Sequence, residues 1–363
     1  MKIHQLVATA HAGDATGNTA LTLAGVLHRD GHQAEIFALE VDRSLRHIVR
    51  SFSEFEAPAE GDTTVLHFNL PSPLSQALAE CHGRRVLIYH NLTPPELLLP
   101  YCPEIARLTA LGRRELQQLA SQERVDMAIG VSEYNTRDLR ATGFSATATA
   151  PLMVDLQRFD SAPNPVLAAK LERDAIPTFI TVGRVAPNKR LEDLLKLAAY
   201  YLRYVNPRAR FLVVGGCRGL ETYLDSLVEL HGKLKLDRRV QFVGRVPLAD
   251  LIAYNRCATA YLCLSAHEGF CAPLLEAMKF GIPIIARRAA AIPETLGNAG
   301  ILVDSEDPAE WAEMLHLVAT DQTLRKALAA RAADRLAAYD QDRIAALWLS
   351  LLTAVDQARS EAQ

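Results

Sequence analysis

The chain has no apolar run near the roughly 20 residues a helix needs to cross a bilayer, so a membrane-spanning protein is not expected. It also lacks an excess of either charge: Lys and Arg number 39, Asp and Glu 42, for a formal net charge of -3. Without a basic field, a polyanionic nucleic acid is not the expected partner. Cysteines are few and scattered, at Cys81, Cys102, Cys217, Cys257, Cys263 and Cys271. No CxxC pair or finger-like Cys/His spacing joins them, which argues against a structural zinc site and fits a reduced, cytosolic compartment. The start, MKIHQLVATA, carries one lysine and runs into a polar loop, so it does not read as a secretory signal. Solenoid repeats and low-complexity tracts are absent. What remains is a 363-residue chain, 49% hydrophobic and 22% charged, the composition of a well-cored soluble protein long enough for two α/β domains.

Short apolar or β-branched runs alternate with longer helical patterns, the mark of parallel sheets with crossover helices. Strands are expected over residues 3–9, 34–38, 64–68, 85–89 and 127–131, with a weaker one over 146–150. A second set is expected over 178–182, 210–214, 240–243, 258–264, 283–286 and 300–303. Between the sets, Asp155 to Pro177 contains Pro163, Asn164, Pro165 and Pro177 and reads as a linker. Residues 308–338 read as two Ala/Leu-rich helices. A last amphipathic helix is expected from Asp340 to about Ala358, with Ile344, Leu347, Trp348, Leu351 and Leu352 on its apolar side.

The sharpest motif is Glu268-Gly-Phe-Cys-Ala-Pro-Leu-Leu-Glu276, directly after the strand over 258–264. A glycine-containing turn and a helix beginning near Ala272 would leave Glu268 in the loop and Glu276 one turn inside the helix. Both could face one ligand at a strand C-terminus, where open α/β sheets bind, and the amides around Gly269 to Ala272 would attract a phosphate. The alternative is a solvated Glu276 and a first-turn Glu268. A second motif, Gly183-Arg184-Val-Ala-Pro-Asn-Lys189-Arg190, follows the strand over 178–182 and opens a helix. Arginine and lysine there suit a diphosphate, each charge-assisted hydrogen bond contributing about 1.5 to 3 kcal/mol. The alternative for Arg184 is a surface ion pair with Glu192 or Asp193, and Arg190 is expected to be structural.

In the first half, His11-Ala-Gly13-Asp-Ala-Thr-Gly17-Asn-Thr separates the first strand from a helix over 20–29. Its spacing is not that of a dinucleotide G-x-G-x-x-G loop, which disfavours a nicotinamide site. His90 ends the fourth strand and faces the ligand edge by the same geometric rule, unless it is structural. His67 and His267 are given no role, and His11 is left open. The only D-x-D, Asp340-Gln-Asp342, starts the terminal helix, where acidic residues serve as caps. No metal requirement is expected.

The GR-xxx-NK loop, the EGF-x-x-P-L-L-E-A-M box, Gly281-Ile-Pro-Ile-Ile-Ala286, Phe242-Val-Gly244, Ile292-Pro-Glu294 and Gly300-Ile-Leu-Val-Asp304 together resemble the C-terminal domain of family 4 glycosyltransferases. That resemblance implies a GT-B fold, α/β with two Rossmann-like domains facing across a cleft. It places residues 1–160 and about 340–363 in an N-terminal acceptor-binding domain, and 161–339 in a C-terminal nucleotide-sugar-binding domain. It implies retaining chemistry without a metal or other cofactor, a nucleotide-diphosphate sugar serving as co-substrate. Arg184 and Lys189 would bind the diphosphate, Glu276 the ribose hydroxyls and Glu268 the transferred sugar. The amides of Gly269, Phe270 and Cys271 would hold sugar and phosphate, with Val243 also at a donor-binding position. Gly13 and Gly17 would let the backbone approach the leaving phosphate or acceptor, and His90 would lie near the sugar 6-hydroxyl.

The phrase HNLTPPE, residues 90–96, resembles bacterial mannosyltransferases of cell-surface polysaccharide synthesis. It points to mannose moved from GDP-mannose to a glycan or polyprenyl-linked glycan. A UDP-dependent transferase of glucose or N-acetylglucosamine, a nucleotide-sugar 2-epimerase and a non-catalytic nucleotide-sugar binder are the alternatives. Two departures stand out. Cys271 replaces the second glycine of the usual EGFG, a strained choice if that site has positive φ, and its thiol is read as filler rather than nucleophile. Met153 replaces a glycine in Pro151-Leu-Met-Val-Asp155-Leu-Gln-Arg-Phe159, where Asp155 and Phe159 are read as structural. The run Pro95 to Tyr101 and the basic helix with Arg107, Arg113 and Arg114 lie in the expected acceptor half. They leave open a peripheral contact with the cytoplasmic membrane face, ordinary packing being the alternative.

Overall fold

The structure, a computed structural model, describes residues 1–11, 15–56 and 58–360, the last eight of these and residue 15 by backbone alone. The chain forms two compact units. One comprises Met1–Pro95, Glu104–Val154 and Tyr339–Gln363, the other Glu96–Pro103 and Asp155–Ala338.

The first unit carries seven strands: β1 (Lys2–Ala10), β2 (Gln33–Val41), β3 (Arg50–Ser51), β4 (Thr63–Phe68), β5 (Arg84–Tyr89), β6 (Met127–Gly130) and β7 (Thr147–Thr149). All pair in parallel, in the order β3-β2-β1-β4-β5-β6-β7. Every residue of β4 is buried, as expected of a strand covered on both faces by crossover helices. Strand order reverses between β1 and β4, so their C-terminal ends flank a ligand crevice.

The second unit repeats the design with β8 (Thr178–Val182), β9 (Arg210–Val214), β10 (Val240–Gly244), β11 (Ala260–Cys263), β12 (Ile284–Arg287) and β13 (Ile301–Val303). The order is β10-β9-β8-β11-β12-β13, again all parallel, with its reversal between β8 and β11. This is the strand order of nucleotide-binding Rossmann sheets. Phe179, Tyr201 and Phe211 pack with ring centroids 5.0 to 5.9 Å apart and tie the helix Leu191–Tyr204 to the sheet. Each such buried ring contributes about 1.5 to 3 kcal/mol.

Several expectations need correction. The proline-rich stretch read as a linker contains a helix, Pro165–Asp174. Asn164 caps it, its side-chain oxygen accepting from the amides of Val166 and Leu167, and Pro165 fills the first helical position, where a missing N–H costs nothing. The first helix begins at Ala15 rather than Ala20, so Gly17 lies in its first turn and not in an open loop. Leu347 is 36% exposed, and the inner face of the terminal helix Gln341–Ser360 is Ile344, Trp348 and Leu352. That helix is held by Trp348 Nε1 donating to the Pro151 carbonyl at 3.0 Å and Gln341 Nε2 to that of Val154 at 2.8 Å. The run after Pro95 does not stay with the expected acceptor half: Glu96–Pro103 belongs to the second unit, and Tyr101 sits edge-on to Tyr223 at 4.8 Å. Among the described residues no helix is long and apolar enough to cross a membrane.

Candidate functional site

The β8 and β11 loops lie at the reversal point of the second sheet, and glycines bring the end of β8 close against its other neighbour, β9. The Gly215 amide donates to Gly244 and the Gly183 amide to Val214, both at 2.9 Å. A Cβ on Gly215 would lie 1.8 Å from the Gly183 carbonyl oxygen, so only glycine lets β8 and β9 end this close. At Gly183, where φ is 146°, a Cβ would come within 3.5 Å of the Lys189 ammonium nitrogen. The lysine therefore passes directly over the strand end.

Asn188 joins the two loops. Its carbonyl accepts from the Ala266 amide at 2.8 Å and its side chain donates to the His267 carbonyl at 2.9 Å. That clamp brings Lys189 Nζ to 2.5 Å from Glu268 Oε1. Both side chains are mostly buried, at 18% and 10% exposure. Burial works against the lysine's charge, but the Glu268 carboxylate outweighs it and the net shift is upward. Arg184 donates to the Arg218 carbonyl at 3.0 Å from an exposed position. The ion pair considered for it belongs instead to Arg190, which holds Asp193 at 2.9 Å and Glu192 at 3.1 Å. Arg184, Lys189, Gly183, Tyr261, Cys263 and Ser265 are among the residues lining a small pocket at these strand ends.

Past Glu268 the chain turns tightly. The Glu268 carbonyl accepts from Ala291 at 3.2 Å, and the Thr295 hydroxyl donates to the Phe270 carbonyl. Cys271 has φ 69° and ψ 58° and stands just ahead of the helix Ala272–Lys279. The positive φ anticipated from the missing glycine is present, at about 1 to 2 kcal/mol of strain. Glu276, 8% exposed, is not a solvated helix residue. Its Oε1 accepts from Arg158 at 2.7 Å, and burial raises its pKa against the lowering effect of Arg158. Arg158 in turn lies 4.7 Å from the Phe159 ring centroid. Arg158 was missed in the sequence, where the segment's Asp155 and Phe159 drew attention. A cation next to the aromatic Phe159 was the local signal. Asp155 accepts from the Gln157 and Arg158 amides, and Phe159 is buried, as structural residues would be.

Val243 lies on β10, apart from the pocket between β8 and β11. Cys263 Sγ, a Glu268 oxygen and Cys271 Sγ fall within 4.8 Å of one another, a possible donor set for a soft cation. Its carboxylate already holds the Lys189 ammonium.

In the first unit, His90 follows β5 and pairs through Nε2 with His67 Nδ1 at 3.0 Å. His67 Nε2 lies 2.9 Å from Gln5 Oε1, and Gln5 donates to the Ala20 carbonyl. If the Gln5 oxygen accepts, His67 carries its proton on Nε2 and receives one from His90. Burial lowers the pKa of His90 to about 4. His67 is pushed well below its usual value by burial and by the charge of His90. His67 therefore orients His90, a link that its isolated place in the sequence concealed. His11 is paired with Asp42 at 2.8 Å. Gly13 lies outside the described residues, and Gly17 is buried in the first helix.

Residues 167–335 match the model of the family described as glycosyl transferases group 1. Over 127 residues, 35% of the chain, the sequence is 33% identical to O-antigen chain mannosyltransferase B of Escherichia coli, and the match spans 32% of that relative's length. Among solved structures, sucrose-phosphate synthase from Thermosynechococcus elongatus superposes with a TM-score of 0.77 over 98% of this chain and 99% of that one, at 19% identity. Anabaena HepE in complex with UDP and glucose does so with a TM-score of 0.71 over 98% and 100%, at 18% identity. The structural likenesses establish the fold as a pair of Rossmann-like domains. By sequence, residues 167–335 are similar to the glycosyl transferases group 1 family.

Proposed function

We propose that this protein is a metal-independent, retaining hexosyltransferase that draws its sugar from a nucleoside diphosphate donor and passes it to a hydroxyl of a glycan or lipid-linked glycan. The observation that carries the reading is the Lys189–Glu268 pair at the reversal point of the second sheet, with Arg184 lining the same pocket. In the resting chain Glu268 balances Lys189. An incoming diphosphate offers the ammonium a second anion and releases Glu268 to accept hydrogen bonds from sugar hydroxyls. Arg184 keeps further N–H donors for the phosphate. As the glycosidic bond breaks, charge gathers on the leaving phosphate, so these contacts tighten toward the transition state and lower the barrier. The buried Glu276 carboxylate suits a vicinal ribose diol, with Arg158 holding it in place. We read the transfer as front-face, the departing phosphate helping to remove the acceptor's proton, and His90 as a neutral imidazole beside the sugar.

Mannose from GDP-mannose is the first donor reading, supported by the HNLTPPE phrase and by the name of the E. coli relative. A UDP-sugar is the second, favoured by the UDP and glucose bound to HepE. A thermal-shift panel of GDP-mannose, UDP-glucose and UDP-N-acetylglucosamine separates them. The true donor at about a hundredfold excess over Kd stabilises by about 2.7 kcal/mol, and a panel without any shift removes the proposal. Donor consumption without acceptor would mark a 2-epimerase, and donor binding without nucleoside diphosphate release a non-catalytic binder. Proton NMR of the product linkage tests retention. Arg107 and Arg114 are exposed on the helix Pro103–Ser121, and flotation with anionic liposomes tests the membrane-face reading.

A further inference from the structure

The proposed transfer leaves two neighbouring thiols without a task. Cys263 ends β11 and Cys271 precedes the helix Ala272–Lys279. They are 4% and 5% exposed, and their sulfurs lie 3.8 Å apart. A disulfide needs about 2.05 Å between sulfurs, so closure brings them roughly 1.8 Å nearer. Cys263 also lines the pocket with Arg184 and Ser265, which gives a small oxidant a route to its sulfur.

We propose that Cys263 and Cys271 are a peroxide-reactive pair that closes to a reversible disulfide and thereby shuts the donor site. The Cys263 thiolate attacks one oxygen of hydrogen peroxide, the O–O bond breaks and hydroxide leaves, producing a sulfenic acid. The Cys271 sulfur then attacks the sulfenic sulfur, and the hydroxyl leaves with the thiol proton as water. Two thiols and one peroxide become a disulfide and two waters, and a thiol reductant reverses the change by exchange. Cys263 is the attacking group because it lines the pocket, whereas Cys271 lies behind it at the start of the helix.

The consequence follows from what hangs on the turn. Cys271 closes the Glu268 to Cys271 segment, which positions the Glu268 carboxylate and the amides at the helix start. Pulling Cys271 toward β11 displaces both. This effect on binding rests on the donor-site reading, whereas the sulfur chemistry does not.

The test treats the full chain with hydrogen peroxide, then digests it without reductant using trypsin and a protease that cuts after Glu268. Mass spectrometry should find a peptide with Cys263 joined to one with Cys271, separated again by dithiothreitol. Calorimetric titration with GDP and with UDP should show the affinity of the reduced chain falling about tenfold or more on oxidation and returning on reduction. Cys263→Ser, whatever its starting affinity, should show the same affinity before and after peroxide. Absence of the cross-link overturns the proposal, as does a cross-linked chain with unchanged affinity or a C263S chain that still loses it. A reduced chain that binds neither nucleotide defeats the donor-site reading instead, and the cross-link alone then decides the disulfide.

Discussion

At the residue scale, burial acts on His90 and Glu276 in opposite senses. The folded chain holds His90 near a pKa of about 4, below the ordinary 6.5. A lowered histidine contributes stability that is present above the unfolded value and lost as pH falls from 6.5 toward 4. Urea denaturation should therefore show stability declining through that window by up to about 1.4 kcal/mol per pH unit for each such histidine. His90→Asn should flatten the decline by one histidine's share, and an unchanged slope would remove the buried pair from the account. Glu276 is shifted upward from 4.5 by burial, against Arg158. A raised carboxyl stabilises most below its unfolded value and loses that contribution as pH rises. Glu276→Gln should thus gain stability relative to the parent as pH rises above 4.5 while weakening nucleotide binding, both measurable on one preparation. Lys189 with Glu268 was readable because each stands in a motif of its own type. Arg158 with Glu276 was not, since 118 residues separate them and neither neighbourhood names the other.

At the scale of elements, the helix Pro165–Asp174 ends at Ala175, an exposed residue with φ 47°. This left-handed position suits glycine. Ala175→Gly should raise thermal stability by about 0.5 to 1 kcal/mol, the relieved strain of about 1 to 2 kcal/mol exceeding the extra chain entropy. A scanning calorimeter reads the result, and a lower Tm would contradict it. The same helix illustrates the weak point of reading elements from composition. Proline breaks a helix at most positions and starts one at the first, and the Asn164 cap decides which by satisfying the amides of Val166 and Leu167. Strands were located within a few residues because apolar runs bounded by polar turns are a local signal. The exception is β3, Arg50–Ser51, two exposed residues without such a run.

At the scale of the molecule, the chain leaves the first unit after Val154 and returns to it at Tyr339. Trp348, fully buried, anchors the returning helix through Pro151. Trp348→Ala should cost about 3 to 5 kcal/mol in urea denaturation. Nucleotide affinity under folding conditions should persist, because Arg184, Lys189, Glu268 and Glu276 all belong to the other unit. Loss of affinity in the still-folded variant would mean that the donor site extends beyond that unit.

Alternating apolar runs and helical periods determined the α/β class, and the order of the strand-to-turn motifs determined which loops could meet a diphosphate. Both are carried by near neighbours in the chain, where backbone preference and turn chemistry act. Tertiary packing alone decided that Asn188 would clamp two loops, that Arg158 would hold Glu276, that His67 would orient His90, and that Glu96–Pro103 would join the second unit. Those outcomes depend on how much surface and how many polar groups distant segments bury together, a sum over the whole fold that no local stretch of sequence contains.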